Sequence, residues 1–88
     1  MKVRYFAAAR AAAGVEEEGF DLPPGATVAD LLEAVLAVER AEPPSGTPPL
    51  HRILSRSSYL LNEVAVRDRS AVLNPGDVVD VLPPFAGG

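Results

Sequence analysis

The residues with the most direct chemistry stand together at the end of the chain, Leu82-Pro83-Pro84-Phe85-Ala86-Gly87-Gly88. Glycine has no Cβ, so Gly87 and Gly88 can thread a narrow channel and take φ values closed to other residues. The α-carboxylate of Gly88, with an ordinary pKa of about 3.3–3.7, is an unhindered anion at neutral pH. Inside a partner enzyme such a carboxylate can attack the α-phosphate of ATP, and the mixed anhydride that forms carries an electrophilic carbonyl. Small residues also collect at fraying chain ends. At a glycine usage of about 7%, a terminal pair arises by chance in roughly 0.5% of chains. Pro83 and Pro84 add weight to the pair, because two prolines hold φ near −65° and stiffen the exit from the preceding segment. A stiff stem with a free tip suits delivery of that tip into a deep site.

The elements that must position this tail are few. With 88 residues, 48% of them hydrophobic, the chain buries somewhat over about 60% of its unfolded surface, which is enough for one core. The expectation is a single domain over residues 1–82, followed by a flexible tail over 83–88. Net charge is −4 with the basic residues scattered, which argues against nucleic acid as the main ligand and favours a basic protein partner. No apolar run approaches 18 residues and no basic-then-apolar leader is present, so no membrane contact is expected and the cytoplasm is the expected location. The absence of cysteine excludes a disulfide scaffold, a thiolate metal site and a cysteine nucleophile. His51 is the single histidine and has no second one to share a metal, so no metal site is assigned.

Lys2 to Ala8 alternates as a strand does, with Val3, Tyr5 and Ala7 on one face and Lys2, Arg4, Phe6 and Ala8 on the other. Phe6 is thus a large aromatic on a polar face. Ala9 to Ala13 predicts a short helix closed by Gly14. Residues from Glu16 to Leu22 predict a weak acidic strand whose glutamates form a solvated edge, stopped by Pro23-Pro24-Gly25. Thr27 is a good N-cap with Asp30 three residues on. Behind it Val28, Leu31, Leu32, Val35, Leu36 and Val38 mark the apolar face of a helix running to about Arg40. The proline-rich stretch 43–49 is a connector, and 50–56 predicts a helical turn. Asn62-Glu63 between apolar runs predicts a hairpin, although glutamate is a poor turn residue there. Asn74-Pro75-Gly76-Asp77 is a turn, and Val78 to Leu82 the last strand.

The ending Pro83-Pro84-Phe85-Ala86-Gly87-Gly88, the stretch Leu73-Asn74-Pro75-Gly76-Asp77-Val78-Val79 and the opening Val3-Arg4-Tyr5-Phe6-Ala7-Ala8-Ala9-Arg10 together resemble the MoaD/ThiS group of ubiquitin-like sulfur carriers, most of all its MoaD branch. The resemblance covers nearly the whole chain and is weakest from Ala41 to Ser58. It implies an α+β fold, a ubiquitin-like β-grasp in which a mixed sheet is covered on one face by one main helix, with the first and last strands parallel and central. Phe6 and Leu82 would then lie on the uncovered face. In MoaD-like proteins the corresponding positions contact a large subunit, and Ala65 fills a third such position with a smaller side chain than is common.

By the same resemblance, a MoeB-like adenylating enzyme consumes ATP to activate Gly88, a sulfur donor protein converts the adenylate to a thiocarboxylate, and a MoaE-like large subunit uses the sulfur to build molybdopterin. The sulfur must come from elsewhere, since the chain has no cysteine. Gly88 is the reacting residue, Gly87 gives access, and Pro83, Pro84, Phe85 and Ala86 aim the tail; no cofactor is held by the chain itself. Two other readings stay open at this point. One is a related carrier for thiamine, cysteine or tRNA thiolation, or a protein-conjugating modifier. The other is a β-grasp interaction module without acyl chemistry, which would have no use for the tail.

Overall fold

In the computed structural model, which describes residues 1–84, the last strand of the chain lies in the middle of the sheet. The strands are β1 (Lys2–Tyr5), β2 (Glu17–Gly19), β3 (Ser58–Leu61), β4 (Val64–Ala65) and β5 (Val78–Leu82), in the spatial order β2-β1-β5-β3-β4. β5 runs parallel to β1, with Tyr5 opposite Val81, and antiparallel to β3, with Tyr59 opposite Val81. Alternation then divides the sheet. Val3, Tyr5, Tyr59, Val79 and Val81 are buried against the helices, and the residues between them face the other way. Three helices cover that inner face: α1 (Ala7–Ala13), α2 (Val28–Ala37) and α3 (Leu50–Arg56). α2 is the main one and buries Val28, Leu31, Leu32 and Val35; α1 adds Ala9, Ala12 and Ala13, and α3 adds Ile53 and Leu54. This is the mixed-sheet β-grasp that the resemblance implies.

The N-terminus of α2 forms as its residues predict. The Thr27 hydroxyl accepts from the Asp30 N–H at 3.2 Å, and the Asp30 carboxylate accepts from the Thr27 N–H at 2.9 Å. The next orphan donors of the first turn are met from outside the helix: Val28 and Ala29 donate to the carbonyls of Ala71 and Arg69. A helix start otherwise leaves such N–H groups unsatisfied, so the irregular segment 69–73 acts as a second cap.

Several boundaries differ from expectation. β1 stops at Tyr5 and α1 begins at Ala7, not Ala9, because the alanine run favours helix as soon as the strand loses its partners. Ala7 turns the corner at a φ of 50°. β2 ends at Gly19, opposite Lys2, the first residue of β1; Phe20 still exchanges hydrogen bonds with Met1, and beyond it the segment to Leu22 has run past the start of the chain it was pairing with. α2 stops at Ala37, and Leu36 and Val38, expected on its apolar face, are 46% and 37% exposed.

Arg40 accounts for that early stop. Its guanidinium donates to Val35 O at 3.0 Å, to Ala13 O at 3.1 Å and to both Glu18 carboxylate oxygens at 2.7 and 2.8 Å, so the chain turns back across the ends of α2 and α1. Glu18 also accepts from the Tyr5 hydroxyl at 2.7 Å, and the side chains of Arg40 and Glu18 are only 12% and 18% exposed. Glu18 is therefore no solvated edge residue. The hydrogen bond from Arg40 holds its pKa below the ordinary carboxylate value against the opposing effect of burial. Burial, and then the bond to Glu18, push the Tyr5 hydroxyl upward.

Candidate functional site

The tail grows out of the most enclosed strand of the sheet. Val79 and Val81 of β5 have no exposed surface, since strands flank β5 on both sides and helices cover its inner face. The start of β5 is fixed as firmly. In the turn before it, the Asp77 N–H donates to Asn74 O at 3.1 Å while Gly76 takes a φ of 91°, as a turn of this kind requires. Asn62 of the neighbouring hairpin ties the two turns together. Its amide donates to Asp77 and its carbonyl oxygen accepts from the Val78 N–H, both at 3.0 Å. The bond from the Asn62 amide, and then the one from the Asn74 N–H, lower the pKa of Asp77. Asn62 and Glu63 both adopt positive φ, 49° and 71°, the tight two-residue turn that the sequence suggests.

At its other end β5 releases the chain after Leu82 into Pro83, half-buried, and Pro84, exposed. Both prolines are thus placed at the root of the tail. Phe85, Ala86, Gly87 and Gly88 lie outside the described residues.

The face of the sheet that no helix covers carries the rest of the candidate site. Register aligns one rung across all five strands: Glu17, Arg4, Asp80, Leu60 and Ala65. At its centre Asp80, 4% exposed, receives both the Nε and the Nη2 of Arg4, the latter at 2.8 Å. Such two-pronged pairing is a strong arrangement for guanidinium and carboxylate. The bond to Asp80 raises the pKa of Arg4. Apolar side chains flank this pair toward β3 and the Leu82 end, while the Lys2–Glu17 ion pair lies on its β2 side. Phe6 follows Tyr5 with extended backbone, so the alternation carries it to the same side as Arg4, where it is 41% exposed. Register sets it at the same end as Leu82, which is half-buried. Ala65 is exposed on the edge strand, directly opposite Leu60 on the same rung.

Sequence reasoning thus anticipates Phe6, Leu82 and Ala65 on one surface, and the structure places all three there. It misses Leu60 and the Arg4–Asp80 pair. The alternation of Tyr59-Leu60-Leu61 carried the signal for Leu60, since Tyr59 inward forces Leu60 outward. Alternation already sets Arg4 with Phe6 and Asp80 with Leu82, but their pairing and the burial of Asp80 need the parallel register of β1 and β5. Among the described residues no cluster of three metal-ligating side chains occurs, and no helix is long and apolar enough to cross a membrane. The chemical capacity of the described residues is to hold the root of the tail, Pro83 and Pro84, beside a partly apolar surface with the Arg4–Asp80 pair at its centre.

Known proteins resemble this chain in sequence and in fold. The sequence profile of the ThiS family matches residues 3–88. The molybdopterin synthase sulfur carrier subunit of Chlamydomonas reinhardtii is 38% identical over 90 residues, covering 100% of this chain and 98% of the relative. Among solved structures, a protein described as molybdopterin converting factor subunit 1, from Pyrococcus furiosus, superposes with a TM-score of 0.71 at 31% identity, covering 96% of this chain and 95% of its own. A complex of subunits 1 and 2 of the molybdopterin-converting factor from Helicobacter pylori superposes at 0.62 with 23% identity, covering 99% and 96%; at that identity the likeness speaks for the fold.

Proposed function

Because the chain belongs to the ThiS family, we propose that it is a sulfur carrier that works as the small subunit of a molybdopterin synthase, with Gly88 as the reacting residue. The observation that carries the reading is the rooting of the tail. A chain end that must reach a reacting phosphorus or carbon inside another protein gains from a rigid origin, and β5 is the best-held strand of the sheet. Positioning of this kind can supply a large part of a rate enhancement.

In the proposed cycle one oxygen of the Gly88 carboxylate attacks the α-phosphorus of ATP in a MoeB-like adenylating enzyme, and pyrophosphate leaves. Sulfur delivered at the sulfide level by a donor protein then attacks the carbonyl carbon of the acyl-adenylate. AMP leaves, and a thiocarboxylate remains. In a MoaE-like large subunit the sulfur passes to a pterin precursor, and water restores the carboxylate. ATP is a substrate of the partner, not a cofactor of this chain. Residues 1–82 supply the platform, 83–88 the reaching segment, and the cytoplasm is the proposed place of work. Phe6, Leu60, Ala65 and Leu82 form the surface offered to the large subunit.

The test is intact-protein mass spectrometry after incubation with the adenylating enzyme, ATP and a sulfur donor. The expected result is the mass gain of one sulfur-for-oxygen exchange, mapping to the terminal peptide. Deleting Gly88, or adding one residue after it, should abolish the gain and leave the melting temperature unchanged, because one residue displaces the carboxylate by about 3.3–3.6 Å. A wild-type chain that gains no sulfur yet binds a protein through its open face would instead be an interaction module.

A further inference from the structure

Beside the root of the tail, on the helical side of the sheet and away from its open face, lies a hollow of about 180 Å³. Ala8, Ile53, Pro83 and Pro84 line it together with Arg52 and Arg56. Small-molecule sites usually measure about 300–1,000 Å³, so this hollow suits one protruding side chain and not a cofactor.

The two arginines give the hollow a chemical preference. They stand four residues apart on α3, both exposed, and neither forms an ion pair with any described residue. Of the other six basic residues, Lys2, Arg4, Arg10 and Arg40 are paired with carboxylates, Arg69 donates to Leu54 O and covers the Tyr59 ring, and Arg67, exposed and likewise in no ion pair among the described residues, is not part of the lining. Like charges at this spacing work against a helix. The pair therefore has a small cost in the free protein that an acidic neighbour would reverse. On a chain of net charge −4, it makes a local positive spot within reach of anything that receives the tail.

We propose that this hollow docks an acidic segment bearing one apolar side chain, and that the segment belongs to the enzyme that activates Gly88. The inference rests on the sulfur-carrier reading, in which one tail visits two hosts in turn. The open face serves the subunit that accepts the sulfur. A grip on the opposite side of the root gives the activating enzyme a contact that the acceptor does not share, so the two affinities can be set independently. The apolar side chain fills the space between Ala8, Ile53 and the two prolines, and its acidic neighbours meet Arg52 and Arg56.

Two variants test this with the full-length chain. Charge reversal, R52E with R56E, should raise the KM for the carrier in adenylation about tenfold at low salt and much less at high salt, since exposed interfacial charges act mainly on encounter and are screened. Ala8→Trp, which fills the hollow from within, should raise KM without that salt dependence. In both, kcat, melting temperature and calorimetric affinity for the accepting subunit should stay unchanged, and R52K with R56K should restore most of the lost KM. Unchanged KM in variants that are still activated overturns the inference alone, as does an equal loss of affinity for both hosts. If truncation after Pro84 shifts the amide resonances of α3 in the free protein, the chain's own end occupies the hollow, and the inference fails. A wild-type chain that never gains sulfur overturns the carrier reading itself.

Discussion

The two faces of the sheet are built from alternate residues of the same strands, and they have opposite characters. On the inner face Val3, Val79 and Val81 are fully enclosed, with Tyr5 and Tyr59 nearly so. Their hydroxyls are both satisfied, Tyr5 on Glu18 and Tyr59 on Leu54 O. On the outer face Phe6, Leu60 and Leu82 are only partly covered, and the centre holds the Arg4–Asp80 pair. The inner face is a finished core. The outer face resembles a core waiting for its second half, and its one buried charge already has its counter-ion, so a partner can cover it without stranding a carboxylate.

The largest contrast should come from adjacent residues of β5. Val81→Asp puts an unpaired charge into the enclosed face and should leave no cooperative thermal transition at 37 °C, since that burial costs more than a domain of this size can spare. Leu82→Asp, one residue on, should keep a cooperative transition and melt far closer to wild type, because its half-buried side chain lies on the face that no helix covers. It should nonetheless weaken binding to the large subunit, as should Phe6→Asp, by about 30-fold or more in calorimetric titration, the size expected for an anchoring apolar residue. Equal loss of melting temperature and binding at both positions would mean the two faces are assigned the wrong way round.

A middle-sized effect is expected where the inner face is closed by charge. Glu18→Gln should lower stability at pH 7 by about 2 kcal/mol, below the usual 3–5 kcal/mol for breaking a fully enclosed pair because some exposure remains. That corresponds to roughly 10 °C in melting temperature for a domain of this length. The sign with pH follows from the lowered pKa of Glu18 in the folded state. Its contribution is complete above the ordinary value of 4.5 and is lost as pH falls toward the folded-state value. Melting curves of wild type should therefore drop more steeply below that pH than those of the variant. Parallel curves would show that Glu18 stabilises by packing alone.

The smallest effect is a gain. Glu63 sits at a φ of 71° in the hairpin turn, where glycine is favoured. Glu63→Gly should raise stability by about 0.5 kcal/mol and leave binding through the outer face unchanged, because the turn lies at the end of the sheet away from Leu82. A fall in stability, measured by urea unfolding, would show that the Glu63 side chain contributes more to the Arg4 end of the outer face than its strained backbone costs.

By itself the sequence determined the local elements whose signals are strong and close in the chain: the Thr27–Asp30 cap, the helix 50–56, the Asn74–Asp77 turn, the span of β5 and which residues of β1 and β5 share a face. Period, capping and turn chemistry act over a few residues, so they can be read without knowing the fold. The family resemblance supplied the topology. Only the tertiary structure decided where α2 stops, because the agent is Arg40 reaching Glu18, 22 residues earlier in the chain. It alone decided that Asp80 is buried and paired, since Arg4 is separated from it by 76 residues and meets it only through the parallel register. A hydrogen bond or ion pair between distant segments leaves no periodic trace in the sequence. It exists only once the sheet has brought the two strands side by side, and that is why both charged anchors of this fold, and the hollow beside the tail, were legible only in three dimensions.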